Sequence, residues 1–220
     1  MTAKRVAPAP KGRRIRGLDA EQRAEQRRDL LLDAALDCFA RDGYAGTSIE
    51  GLCQAAYVGN KAFYEHFSTK EACYLELLQR NTHTIVQRVT AMLDEIADDE
   101  ATATHQLLSA FAGAILDDPR IAVVTFGQSG GISPTIERQR RANRREAAGI
   151  VRAAWLRFDD PPSDARGAPM AIATIGGLFD LVSDALDRTD YAPTDRDIDM
   201  LIAHMTDFAL TVRAGMQSDR

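Results

Sequence analysis

RDLLLDAALDCFARDGYAGTSIEGLCQAAYVGNKAFYEHFSTKEACYLELL, residues 28–78, decides the fold. Leu32, Ala35, Leu36 and Phe39 recur at helical spacing, so a helix runs from about Asp19 to Arg41. Asp42-Gly43 stops it, with glycine free to take positive φ. Thr47 and Glu50 have the Thr-x-x-Glu spacing of a capping box and open a short helix to about Ala56. Tyr57-Val58-Gly59 breaks the pattern, and a second short helix spans about Asn60 to His66. Ser68 and Glu71 repeat the capping spacing at the head of a long helix. A helix followed by two short ones across a three- to four-residue break is the helix-turn-helix plan.

Such a unit lays the first residues of its last helix in the major groove. Here these are Asn60, Lys61 and Ala62. Asn pairs with adenine edges, Lys with guanine O6/N7, and Ala touches the thymine methyl. Phe63 and Phe67, four apart, face inward as anchors. Tyr64 lies off that face, where its hydroxyl can reach a phosphate. Lys70 sits in a first helical turn, where its charge opposes the helix dipole unless an anion lies nearby. These residue types alone leave two readings open: a DNA reader, or a small helical core with exposed polar residues.

The same stretch resembles the N-terminal domain of TetR-family transcriptional regulators. The resemblance rests on Ala35, Phe39, Ala40, Gly43 and Tyr44, on Thr47-Ser48, on Phe63-Tyr64-x-His66-Phe67, and on Ser68-x-Lys70-Glu71. It implies phosphate contacts from Thr47, Ser48, Tyr64 and Lys70. Tyr57 departs from the family's usual turn glycine, and Gly59-Asn60-Lys61 replaces a Ser-Lys-Gly-type run. The operator is therefore not legible, although the fold is.

Charge agrees with a reader attached to a different body. Of 220 residues, 27 are Lys or Arg and 32 Asp or Glu, a net of −5. Residues 1–70 hold 12 basic and 9 acidic side chains, net +3; residues 71–220 hold 15 and 23, net −8. Lys4, Arg5, Lys11, Arg13, Arg14 and Arg16 fall in the first eighteen residues with no acid among them. A basic piece on an acidic body fits DNA binding, and equally a solvated tail. Pro8, Pro10, Gly12 and Gly17 make residues 1–18 a flexible arm. No secretory signal and no run of 18 apolar residues occurs, so the expected location is the cytoplasm. Cys38, Cys53 and Cys73 form no C-x-x-C pair and are expected to be buried.

Beyond residue 78 the chain continues as helices. Ile85, Val89, Met92, Leu93 and Ile96 share a face of the long helix; Leu108, Phe111, Ala112 and Ile115 mark another ending before Asp118-Pro119. Residues 120–126 are an apolar run of ambiguous type, and Ser133-Pro134 opens the next helix. The strongest stripes belong to two last helices, about 165–188 and 194–215. The expected fold is all-α: a flexible arm (1–18), a helix-turn-helix domain (19–70), and a helical body for ligand binding and dimerisation (71–220). The resemblance implies a ligand pocket and a dimer interface in that body. Phe111, Ile115, Phe126, Trp155, Met170 and Phe179 are candidate pocket walls. Leu178, Leu181, Val182, Leu201, Met205 and Phe208 are candidates for a four-helix dimer interface, with Gly176 and Gly177 allowing close approach.

Other stretches carry the marks of other chemistries. Gly127-Gln128-Ser129-Gly130-Gly131 matches the G-x-S-x-G nucleophile elbow, with Asp184 and His204 following in order. The elbow needs a strand before it and a helix starting at the serine, and neither fits the pattern. Arg138, Arg140, Arg141, Arg144 and Arg145 crowd eight residues, as an anion site such as one for an acyl-CoA or as a solvated helix face. The four histidines lack metal-ligand spacing, so neither metal nor cofactor is expected. The expected function is a non-enzymatic, ligand-responsive regulator, most often a repressor, that binds a palindromic DNA operator as a homodimer. The rivals are a serine hydrolase and a non-specific architectural DNA binder.

Overall fold

The computed structural model describes residues 20–93, 95–126 and 132–217. These form nine helices and no strand. In chain order they are α1 (Ala20–Gly46), α2 (Ile49–Ala55), α3 (Asn60–His66), α4 (Lys70–Leu93), α5 (Glu100–Leu116), α6 (Pro119–Phe126), α7 (Pro134–Trp155), α8 (Asp164–Arg188) and α9 (Asp195–Gln217). The basic arm and the G-x-S-x-G run lie outside the described residues.

Two hydrophobic clusters organise the chain. The first gathers Leu31, Leu32 and Phe39 of α1, Leu52 of α2, Phe63 of α3, and Tyr74 and Leu77 of α4. The first two turns of α4 are thus part of the head. The second cluster joins α5, α7, α8 and α9 through Ile115, Trp155, Leu178, Val182, Leu186 and Met205. The ambiguous run 120–126 is helix α6, and it bridges the two. Its Val124 packs in the head cluster and its Ala122 in the body cluster. Arg120 of α6 also donates to Asp37 of α1 at 2.5 Å.

Local signals are placed with a one-residue offset at two caps. Gly43 takes φ 70° and kinks the end of α1. The cap of α2 is Ser48, whose Oγ accepts from Gly51 N at 3.0 Å. Thr47 is instead buried, and its hydroxyl donates to the carbonyls of Gly43 and Cys38. At α4 the capping oxygen belongs to Thr69, which accepts from Ala72 N, in place of Ser68. Glu71 accepts from the Ser133 hydroxyl at 2.6 Å, tying α4 to the start of α7. Ser133 also caps α7, accepting from Ile136 N, with Pro134 in the first turn as its spacing requires.

The dimer residues expected from the strongest stripes need correction. Leu178, Val182, Leu201 and Met205 are buried within one protomer. Leu181 and Phe208 are half-buried against the same core. A Cβ on Gly177 would lie 2.5 Å from Phe208 Cζ, so this glycine serves the close packing of α8 on α9 within the protomer. The reason is plain: the widest apolar stripe on a helix goes to the core of its own chain first. The outward faces of these helices carry Ile172 and Met200, both more than 40% exposed, beside Gly176, whose Cβ position meets open space. By length and composition α8 would also suit a membrane span, yet Ala171, Ile175, Leu178 and Val182 bury its apolar face in the protein.

Candidate functional site

Two features stand out: the surface of α3, and a cavity in the helical body.

The α3 surface is set by its anchors. Phe63 and Phe67 are buried, their rings 5.5 Å apart, and hold the helix against α1 and α2. The next positions around the helix therefore face outward. Asn60, Lys61 and Tyr64 are exposed and Ala62 is half-buried. Tyr57, at the turn, has φ 54° and is almost fully exposed. The departure from glycine thus sits where the backbone favours glycine, and the turn keeps its shape despite the side chain. Gly59 precedes α3 and gives it no side-chain cap.

The residues expected at phosphates divide. Ser48 and Tyr64 are exposed beside α3. Thr47 is withdrawn from that role because its hydroxyl is buried and bonded to two carbonyls. Lys70 needs no anion to explain it. Its Nζ donates to Tyr44 O and Thr47 O at 2.7 Å each, and lies 4.3 Å from the Tyr44 ring centroid. It covers the carbonyls at the kinked end of α1, which no helical N–H reaches. Burial pushes its pKa down from the usual lysine value. Periodicity does not show such a partner, because it lies 26 residues away in sequence.

The cavity, about 190 Å³, lies among α4, α5, α7 and α8. Phe111, Phe126, Trp155 and Phe179 line it. Phe179 stacks on Phe111 at 6.0 Å and meets Phe126 edge-on at 4.9 Å. Ile115 and Met170 are not among its walls. Ile115 is buried in the core, and Met170 packs against that core from partial burial. Helical spacing gives each a face, and only the packing decides which faces meet a void. Arg140 and Arg144 also line the cavity; within the arginine cluster the others do not.

Arg140 reaches both the cavity and the head. It donates to Thr125 O at 2.9 Å and to the Tyr74 hydroxyl at 3.4 Å. Tyr74 in turn donates to Val124 O at 3.1 Å, and its ring packs on Phe39 and Tyr44. The C-terminal carbonyls of α6 are therefore held by Tyr74 of the head cluster and by Arg140 of α7. At the other end, Arg213 is buried and donates to Glu100, Asp160 O and Asp159 O. Sequence reasoning missed this closure, since Arg213 lies on an apolar stripe and reads as its polar edge.

The apolar run before the G-x-S-x-G sequence is helix α6, not the strand that a nucleophile elbow requires.

The described residues thus form a helix-turn-helix head with its last helix outward, set on an all-helical body with an aromatic-walled cavity. Residues 31–77 match the family model for bacterial regulatory proteins, tetR family. It is similar to the HTH-type transcriptional repressor NicS of Pseudomonas putida, 25% identical over 133 residues, 60% of this chain and 62% of that one. The HTH-type transcriptional activator FasR of Mycolicibacterium smegmatis is 33% identical over 75 residues, 34% of each chain. The alignments thus span less than two thirds of these relatives' length. Among solved structures, FadR from Bacillus subtilis, in complex with stearoyl-CoA, superposes with TM-score 0.71 at 15% identity, over 84% of this chain and 98% of that chain. FadR from Bacillus halodurans gives 0.72 at 17% identity, over 84% and 94%. At these identities the likeness establishes the fold of head and body together.

Proposed function

We propose that this chain is a dimeric transcriptional regulator that binds a palindromic DNA operator in the cytoplasm, acts as a repressor, and is released by a small molecule in the cavity. The observation that carries the reading is the α3 surface. Asn60, Lys61 and Tyr64 are exposed on a helix whose other side is pinned by Phe63 and Phe67. Asn60 and Lys61 read bases; Ser48 and Tyr64 hold phosphates. Residues 1–18 add backbone contacts, 19–70 form the head, and 71–220 form the ligand-binding and dimerisation body. The work is binding, not catalysis.

One head reads only a few base pairs, so two must be presented about 34–36 Å apart to read both halves of a palindrome. The outward faces of α8 and α9, with Ile172, Gly176 and Met200, supply a self-complementary surface for a C2 dimer. The stearoyl-CoA complex of Bacillus subtilis FadR, on a related fold, supports a ligand role for the cavity. Helix α6 couples ligand to head, since Phe126 lines the cavity while Val124 and Arg120 hold α1 and the head core. A ligand that fits one placement of α6 better shifts the population toward it.

The test is selection of duplexes by the full chain from fragmented genomic DNA of its source. An enriched inverted repeat, bound as two protomers, is the expected result. Equal retention of all duplexes, governed by salt alone, would instead mark an architectural binder.

A further inference from the structure

We infer that the cavity is built for an amphiphilic anion, with its apolar body against Trp155 and its anionic group at Arg144, on the side nearer the head. This deepens the effector reading above and rests on it. Helix α7 turns one stripe to the cavity, and that stripe changes character along its length. Arg140, Asn143 and Arg144 come first, then Ala147, Val151 and Trp155. Helix α4 runs beside it in the same direction: Gln79 pairs with Gln139, and Asn143 donates to Thr82 Oγ1 at 2.8 Å. Beyond Thr82, α4 offers Ile85 and Val89. Along α7 and α4 the cavity wall is therefore polar toward the head and apolar away from it, with Glu100 and Arg213 at the far end.

The two ends also differ in free charge. At the far end the Arg213 guanidinium is committed to Glu100 and two carbonyls, so it has little left for a ligand. At the near end the Arg144 guanidinium lies 5.9 Å from the Phe179 ring centroid, and no carboxylate among the described residues pairs with it. Thr125 Oγ1 is buried on the same side with no hydrogen-bond partner among the described residues. A guanidinium fork and a spare hydroxyl beside an aromatic wall match a carboxylate or phosphate, whose oxygens accept from both. Asp180 also lines the cavity and makes a cationic ligand the rival.

Three ten-carbon probes separate the readings: decanoate, decan-1-ol and decylammonium. Binding is followed at neutral pH, without DNA, by the fluorescence of Trp155, the single tryptophan. Decanoate should bind about tenfold more tightly than either other probe, the worth of a charge-assisted hydrogen bond. Arg144→Gln should abolish the preference for decanoate over decanol, and Arg144→Lys should restore part of it. Equal binding of decanol and decanoate overturns the anion site, as does an unchanged preference in Arg144→Gln. Tighter decylammonium binding assigns recognition to Asp180 instead. Failure of all three probes to bind overturns the amphiphile class. Because no DNA is present, a chain that selects no operator can still pass this test, and one that selects an operator can still fail it.

Discussion

Replacing Lys70 by Met removes the ammonium and keeps most of the stem over Tyr44. Two charge-assisted hydrogen bonds to Tyr44 O and Thr47 O are lost, with the cation–π contact at 4.3 Å. Hydrogen bonds to charged groups contribute about 1.5–3 kcal/mol each, and a cation–π contact about 0.5–2 kcal/mol. Against this stand the roughly 2 kcal/mol of side-chain entropy that an ordered lysine gives up and the desolvation that lowers its pKa. Water also reaches this half-buried site and covers part of the loss. The net cost is about 2 kcal/mol, or about 1 M in the urea midpoint at an m-value of ~2 kcal/mol/M. A loss under about 0.5 kcal/mol, with a fall of about one unit in the log K against log salt slope for a selected duplex, would refute the structural role and return Lys70 to phosphate contact.

Other expectations follow from single contacts. Gly177→Ala forces the Phe208 ring aside and should cost about 1–3 kcal/mol in denaturant unfolding, whereas Gly149→Ala, in open space on α7, should add about 0.5–1 kcal/mol. His66 has Nε2 buried with no partner among the described residues; burial first, then the charge of Arg27, holds its pKa below the usual value. The unfolded chain takes up that proton near pH ~6.5 and the folded chain does so only at lower pH, so stability falls as pH drops below ~6.5 toward the folded value. Asp42, Asp99, Asp118 and Asp197, held low by hydrogen bonds, withdraw stability only in more acid solution. His66→Gln should therefore flatten the denaturation midpoint between pH ~6.5 and ~5; an unchanged slope refutes it. Ile172→Asp and Met200→Asp should yield folded monomers by sedimentation, while Met205→Asp unfolds the chain; a dimeric Ile172→Asp protein places the interface elsewhere.

What the sequence disclosed was governed by range. Period, glycine stops and turn residues act over a few positions, and the helices of residues 28–78 follow them closely. Gly43 takes positive φ, α3 begins at Asn60, and Phe63 and Phe67 turn inward. Capping was legible as a spacing and misplaced by one residue, because adjacent hydroxyls at 47–48 and at 68–69 offer the same chemistry. Only the burial of Thr47 under α1 decides between the first pair. The pocket was half legible. Phe111 and Phe179 face the void, whereas Ile115, on the same helix as Phe111, is buried in the core. Which side of a helix meets empty space depends on neighbours distant in sequence, and no local pattern carries that.

The dimer residues expose a more general limit of amphipathic patterns. The stripe through Leu178, Val182, Leu201 and Met205 is strong because a protomer core tolerates almost no polar side chain. A surface that also meets water before assembly carries a mixed pattern. In the proposed dimer that pattern is Ile172 and Gly176 on α8, and Met200 and Ala203 beside His204 on α9. It is weaker as a periodic signal and therefore the better candidate for the second copy. The same reasoning applies to α7. Its arginines look like a solvated face because charge usually marks water, yet Arg140 and Arg144 turn toward a void lined by Phe179. The proposed reading of bases by Asn60 and Lys61 rests on Phe63 and Phe67, the proposed anion site rests on Arg144, and α6 touches both clusters. Separating these two recognitions by variants on either side of α6 tests whether one helix carries the signal between them.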